Sequence, residues 1–299
     1  MKDFIHLIKN PAWIAASHLT ENIKSIEKCC EYGAGGIVLK GTDGRLLQPC
    51  NRKCQKCKFP YSFKGRKLFV KRPIIYSFTP NSLLCEFLSI KELKFLLSFL
   101  KENYPNIFRV VNISGETPQK LIKTAKMLKK YGAQILELNT KYTIRYRDNN
   151  TVDYEEYLLS FIKKITKEIN LPIIIKICSD YNLLNEGFLK NISKHINGLT
   201  ITDGKFAILP SIFEKEISRN VGKKTCAVVG EPLWKSVKKY VPIAKHYVNF
   251  VSASGGIYNT ERAKEIMKLG ANSVQLCSGI EFFGHKLISD IAQEVKHLK

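Results

Sequence analysis

The chain has no run of about 18 residues free of charge, the length a membrane-crossing helix needs, and its start, MKDFIHLIKNPAW, lacks the apolar core of a secretion signal. These absences lead us to expect a soluble, cytoplasmic protein without a membrane partner. Acidic residues are few: 26 Asp and Glu stand against 48 Lys and Arg, a formal net charge of +22. Such an excess can mark a surface for nucleic acid or other polyanions. Here the lysines run through every segment instead of gathering on one stripe, which suits a general preference for Lys, Ile and Asn. A nucleic-acid partner is therefore not the expectation, although the charge leaves it open. An even cysteine count is also missing. Nine cysteines in a chain of this length without a secretion signal argue for reduced thiols rather than a disulfide framework. The six histidines show no pairing with acidic residues at metal-ligand spacing and receive no role.

What is present is material for one large core. With 299 residues and 44% hydrophobic content, the chain accommodates a complete α/β barrel of roughly 250 residues with room for insertions. We expect a single domain over 1–299.

Short β-branched runs alternate with longer amphipathic segments. The runs are GGIVLK (35–40), FRVVNIS (108–114), ILELN (135–139), PIIIKI (172–177), GLTIT (198–202), TCAVVG (225–230), YVNFVSAS (247–254) and NSVQLC (272–277). Helical patterns lie between them at 117–132, 154–169 and 259–270. This repetition means parallel strands joined by helical crossovers, and continuous apolar runs are what a sheet covered on both faces requires. A closed (β/α)8 TIM barrel explains the pattern; an open doubly wound sheet would too. Thr117-Pro118 and Asn259-Thr260 read as helix starts, and Gly132 and Gly270 as left-handed ends. Residues 41–73 break the rhythm as a long basic insertion containing Cys50, Cys54 and Cys57.

In a barrel the chemistry comes from the C-terminal ends of strands and the loops after them. The segment SASGGIYNTERAKEIMKLGANSVQLCSGIEFFG places Gly255 and Gly256 after one strand and Cys277, Ser278 and Gly279 after the next. Glycines let backbone amides approach a phosphate, and helix N-termini add a favourable dipole. Ordinary strand-to-helix turns use glycine as well; recurrence in two neighbouring βα units of the last third favours phosphate. The spacing Cys50-x3-Cys54-x2-Cys57 could hold zinc with a fourth ligand or an iron-sulfur cluster. A reduced, exposed loop is the simpler reading, and no metal is expected.

Most of the chain resembles the dihydroorotate dehydrogenase family. NPAWIAAS resembles the family's strand-one segment, GAGGIVLKGT (33–42) its flavin-contacting lysine segment, and TPNSLLCEFL (79–88) its Pro-Asn loop. ILELN resembles the strand before the catalytic loop, PIIIKI the second lysine strand, VVGEPLWK (228–235) the Ser-Gly-Pro turn, and SGGI completes the order. The resemblance implies an FMN-dependent oxidoreductase of pyrimidine biosynthesis, acting on a CH–CH bond. It places Ala15, Ala16, Lys40, Asn139, Lys176, Gly230, Gly255, Gly256, Cys277 and Ser278 at the cofactor. Lys40 and Lys176 would stabilise negative charge on the reduced ring, and Asn81 and Asn139, with Asn112 as a weaker candidate, would offer amide hydrogen bonds to substrate or flavin. A homodimer and an electron-transfer partner subunit are further implications.

Two positions depart from the family. Where its catalytic loop carries a Cys or Ser base, this chain has Tyr142, flanked by Lys141 and Thr143. A tyrosine with a reference pKa near 10 is a poor base but a competent acid, so we read Tyr142, with Lys40, as catalytic; packing alone is the other reading. Where the family presents Asn-Thr, the chain has Asp203-Gly204, and a carboxylate there would repel that of orotate unless Lys141 or another cation compensates. Other readings stay open: a flavoenzyme similar to tRNA dihydrouridine synthases, or a non-catalytic flavin-binding barrel.

Overall fold

Ile173–Ile177 are buried at every position, so the strand they form has no face in water. Such a strand needs neighbours on both edges and cover on both sides. A computed structural model of the chain supplies both; it describes residues 4–44, 74–77, 87–140, 143, 153–177, 183–208 and 225–298, with the backbone alone at 74–77, 205–208 and 225–228.

The strands in chain order are β1 (Ala12–Ile14), β2 (Gly36–Thr42), β3 (Ile74–Ser77), β4 (Phe108–Ile113), β5 (Ile135–Asn139), β6 (Ile173–Ile177), β7 (Gly198–Ile201), β8 (Lys205–Ile208), β9 (Thr225–Gly230), β10 (Phe250–Ser254) and β11 (Ser273–Leu276). Eight of them close into a parallel barrel in the order β1-β11-β10-β7-β6-β5-β4-β2. The helices are α1 (Ile23–Glu31), α2 (Ile90–Asn103), α3 (Pro118–Lys130), α4 (Tyr154–Glu168), α5 (Glu186–Ser193), α6 (Trp234–Tyr247), α7 (Thr260–Lys268), α8 (Ser278–Phe283) and α9 (Lys286–Val295). The fold is a (β/α)8 TIM barrel, with the basic, cysteine-containing insertion following β2.

One run expected in the barrel is not there. TCAVVG forms β9, the centre of a separate antiparallel sheet in the order β3-β9-β8. The barrel strand in its place is β1, three residues around Trp13, paired with β11 and β2. An apolar β-branched run reads alike in either setting, because periodicity does not report which neighbour a strand will find.

Helix punctuation follows the sequence. Thr117 accepts from the Lys120 amide with Pro118 in the first turn, and Asn259 accepts from the Arg262 amide. Gly132 and Gly270 adopt φ of 104° and 105° after their helices.

Inside the barrel the N-terminal end is filled by Phe4 and Ile8 with the inward residues Trp13, Val38, Phe108, Val110, Ile135, Ile174 and Phe250. Gly36 makes room for Trp13: a Cβ there would lie 2.7 Å from the indole ring. Outward residues such as Leu136, Leu138, Ile173 and Ile175 join the larger core beneath the helices.

Candidate active site

Two residues beyond the apolar plug, the inward rows turn polar. Asn112, Glu137, Lys176, Thr200 and Gln275 occupy this level, all nearly inaccessible to solvent. Glu137 is the hub. Its Oε1 accepts from Asn112 Nδ2 at 2.8 Å, and its Oε2 accepts from Thr200 Oγ1 and Gln275 Nε2 at 2.7 Å each. Lys176 Nζ stands 3.5 Å from Glu137 Oε1 and donates to Gln275 Oε1 at 3.5 Å. Burial, the largest influence on Lys176, pulls its ammonium down, but Glu137, Asp203 and Cys277 together outweigh it and hold its pKa above the ordinary value. Four strands therefore fix one cation beneath the mouth.

The next inward positions form the rim at the C-terminal end. Asn139 Nδ2 donates to Asp203 Oδ2 at 3.1 Å, while Asp203 Oδ1 accepts from the Gly204 amide at 2.8 Å. Thr140 Oγ1 donates to the Lys176 carbonyl and Thr143 Oγ1 to the Asn139 carbonyl, anchoring the start of the loop after β5. Ser114 Oγ is buried without a hydrogen-bond partner among the described residues. Lys40, where the β2–β4 register shifts, places its ammonium 2.5 Å from Glu21 Oε2. Ala15 is tied by its amide to the Leu276 carbonyl, and Ala16 packs against the inner apolar plug. Burial pushes the Cys277 thiol up to about 11, with Ser17, Glu281 and Lys176 as its other influences.

Beside this mouth, three glycine-bearing segments come together. A Cβ on Gly256 would lie 3.1 Å from the Gly230 carbonyl oxygen and 2.8 Å from Trp234 Cβ; a Cβ on Gly279 would lie 2.9 Å from the Ile257 carbonyl oxygen. Gly230, Gly255 and Gly256 all take positive φ, at 91°, 120° and 73°. Six barrel helices are capped by a side chain from Asn22, Ser89, Thr117, Asp153, Asn185 or Asn259. At α8, Cys277 makes no side-chain cap, as Leu233 and His285 make none for α6 and α9, and Gly230 makes none for the turn after β9. The amides of Ser278 and Gly279 therefore begin a helix whose own residues do not satisfy them. Loops after the last two barrel strands joined by a short extra helix are where TIM barrels bind phosphate. A side-chain-free cradle and an uncapped helix start fit a phosphate-bearing cofactor.

No family model matches the chain. It is 22% identical over 212 residues to the NAD-dependent dihydropyrimidine dehydrogenase subunit PreA of Escherichia coli K12, across 66% of this chain and 51% of that protein. It is 26% identical over 212 residues to the dihydroorotate dehydrogenase (quinone) of Wigglesworthia glossinidia brevipalpis, across 64% of this chain and 61% of that one. The solved structure of dihydroorotate dehydrogenase from Eimeria tenella in complex with ferulenol aligns with a TM-score of 0.65 at 17% identity, over 95% of this chain and 80% of that one. The chain is related to the dihydroorotate dehydrogenase family. It spans about half to three fifths of the length of the curated relatives it matches, and these relatives are oxidoreductases by name.

Of the positions that the family resemblance marks, the structure brings Asn139 and Lys176 into the mouth with Asp203, and Gly230 and Gly256 into one cradle beside Cys277 and Ser278. Gly255 stands behind it, where a Cβ would meet Leu233 Cβ at 2.7 Å. Tyr142, Asn81, Lys141 and the Cys50, Cys54 and Cys57 cluster lie outside the described residues. Among the described residues no group of three or more His, Cys, Asp or Glu could hold a metal ion, and no helix is long and apolar enough to cross a membrane. Sequence reasoning missed Glu137 and Gln275. A charged residue in the middle of the apolar run ILELN, two residues before Asn139 and so on the same strand face, was the available signal.

Proposed function

We propose that this protein is an FMN-dependent oxidoreductase acting on a CH–CH bond of dihydroorotate or a related pyrimidine. The observation that carries the reading is the meeting of Gly230, Gly256 and the uncapped start of α8 beside a polar mouth floored by Lys176. The flavin, when bound, supplies hydride transfer to or from a ring carbon of the substrate. Backbone amides of the glycine segments hold its phosphate. Lys176 would offer its ammonium to the negative charge that develops on a reduced flavin, held in place by Glu137 so that it needs no reorganisation. Asn139 positions substrate through its amide, and Tyr142 gives a proton to the substrate carbon adjacent to the one that receives hydride, which favours reduction of an activated C=C bond.

Asp203 shapes the choice of substrate. Its carboxylate already takes the Asn139 amide hydrogen, and a substrate carboxylate brought beside it meets like charge. A pyrimidine without a carboxylate is thus the better partner. The relative PreA is named as a subunit, which supports an electron-transfer partner for this chain. Homodimerisation and a cytoplasmic location belong to the same proposal.

The test begins with the visible spectrum of the purified protein after incubation with FMN. A bound flavin that, once reduced with dithionite, is reoxidised anaerobically by a pyrimidine, or that is bleached more slowly by the corresponding dihydropyrimidine, is the expected result. Bound flavin unresponsive to every pyrimidine would leave a non-catalytic flavin-binding barrel, and protein that takes up no FMN would end the reading.

A further inference from the structure

The glycine cradle is held in place by a side chain that neither the sequence reading nor the relatives assign. Arg262, in the first turn of α7, sends its guanidinium between two aromatic rings, 4.6 Å from the Trp234 centroid and 4.2 Å from the Tyr258 centroid. Its Nη1 donates to Glu231 Oε2 at 2.5 Å and its Nη2 to Glu231 Oε1 at 3.1 Å, a two-pronged pairing. Nη1 also donates to the Gly256 carbonyl oxygen at 2.8 Å. Both ionic side chains are largely withdrawn from water, with 15% and 12% of their surfaces exposed.

These contacts span two loops. Glu231 and Trp234 follow β9, immediately after Gly230; Gly256 and Tyr258 follow β10. One planar cation thus ties the Gly230 turn to the Gly256 turn through two ionic hydrogen bonds, one carbonyl contact and two ring faces. In a trans peptide the carbonyl and the next amide point in opposite directions. Fixing the Gly256 carbonyl on Arg262 therefore turns the Ile257 N–H away from the guanidinium and stops that peptide from flipping. Asn259, by accepting from the Arg262 amide, sets the backbone from which the side chain reaches.

We propose that Arg262 and Glu231 form a latch that presets the cradle amides for a phosphate monoester, so that both are positioning residues for the phosphate end of the cofactor. This rests on the flavin reading above. The latch acts on the phosphate end alone, so it predicts a split between two ligands that differ only there: FMN, and riboflavin, which has the ring system without the phosphate.

The experiment measures dissociation constants of the full chain for both flavins by fluorescence quenching. In Arg262→Ala, FMN binding is expected to weaken by about tenfold or more, the loss of a charge-assisted contact, while riboflavin stays within about twofold of wild type. Arg262→Lys should behave like Arg262→Ala, because a lysine lacks the fork. Glu231→Gln, which leaves the guanidinium between its rings, should show the same split to a smaller degree and covers the case in which the Arg262 variants do not fold. Equal weakening for FMN and riboflavin, or unchanged FMN affinity in the folded variants, overturns the latch while leaving the flavin reading intact. Wild-type protein that binds neither flavin removes the reading and the latch together.

Discussion

The ammonium of Lys176 lies 3.5 Å from Glu137 Oε1 in the middle of the barrel, and neither side chain has more than 6% of its surface exposed. The pair ties β5 to β6, while Asn112, Thr200 and Gln275 bring β4, β7 and β11 to the same carboxylate. A buried carboxylate with every neighbour donating to it is satisfied; the cation beside it depends on it.

Glu137→Gln should therefore lower stability by about 3–5 kcal/mol, the cost of leaving a buried charge without its partner. Lys176→Met should also destabilise, and the double variant should cost less than the two singles combined, by about 0.5–3 kcal/mol. Urea midpoints at neutral pH measure all three. The Lys176 pKa is raised in the folded state, so its contribution is complete below the unfolded value and fades only as pH rises through the folded one. The gap between wild type and Lys176→Met should stay level from neutral to mildly alkaline pH, then shrink; a gap that closes near neutrality would contradict the pairing.

Much of this was readable beforehand. The alternation of apolar runs with amphipathic segments, the caps at Thr117 and Asn259 and the left-handed Gly132 and Gly270 all follow from local physics, and all appear. The place of TCAVVG was not readable, because a strand's partner is a non-local fact. Glu137 escaped notice for a related reason. Period-two alternation puts Ile135, Glu137 and Asn139 on one face, but whether that face meets helices or the barrel interior depends on closure. Only pairing of Asn139 with Lys176 and of Lys176 with Thr200 brings these polar positions together.

Gly256→Val should give colourless protein. At φ +73° a branched side chain is strained, and its Cβ would meet Trp234 Cβ at 2.8 Å, so a stability loss of about 1–3 kcal/mol accompanies the blocked cradle. Visible absorbance of protein purified in FMN, together with a thermal melt, separates the two effects. Normal flavin content would remove phosphate from this turn.

The thiols of half-buried Cys277 and of buried Cys29 and Cys30 should be slow nucleophiles. Burial raises Cys277 from 9.0 to about 11 and Cys29 and Cys30 from 9.0 to about 12. At pH 8 Cys277 should then carry about a hundredfold less thiolate than an unperturbed cysteine and alkylate correspondingly slowly. Because the folded state holds these protons longer, stability should fall as pH rises from about 9 towards 12. Mass-spectrometric mapping of alkylated sites over time checks the first point, and denaturation midpoints against pH the second.

Tyr142→Phe removes a hydroxyl and little volume. If Tyr142 supplies the proton, turnover should drop by about 10²- to 10⁴-fold with flavin content unchanged. Steady-state rates against the bound-flavin spectrum decide it, and an unaltered rate would place proton transfer elsewhere.

Asp203→Asn tests which ring the mouth prefers. The wild-type carboxylate is held by the Asn139 amide and the Gly204 amide, so its charge is fixed at the rim and cannot swing clear of an incoming anion. Replacing one oxygen by an amide nitrogen keeps the size and removes the charge. Affinity for orotate should then rise by about tenfold or more, the scale of one like-charge contact at intermediate dielectric, while affinity for uracil changes little. The asymmetry matters more than either value: a purely structural effect of the substitution would move both ligands together, whereas relief of repulsion acts on the carboxylate-bearing ring alone. Equal shifts for the two would mean that the substrate carboxylate never approaches position 203.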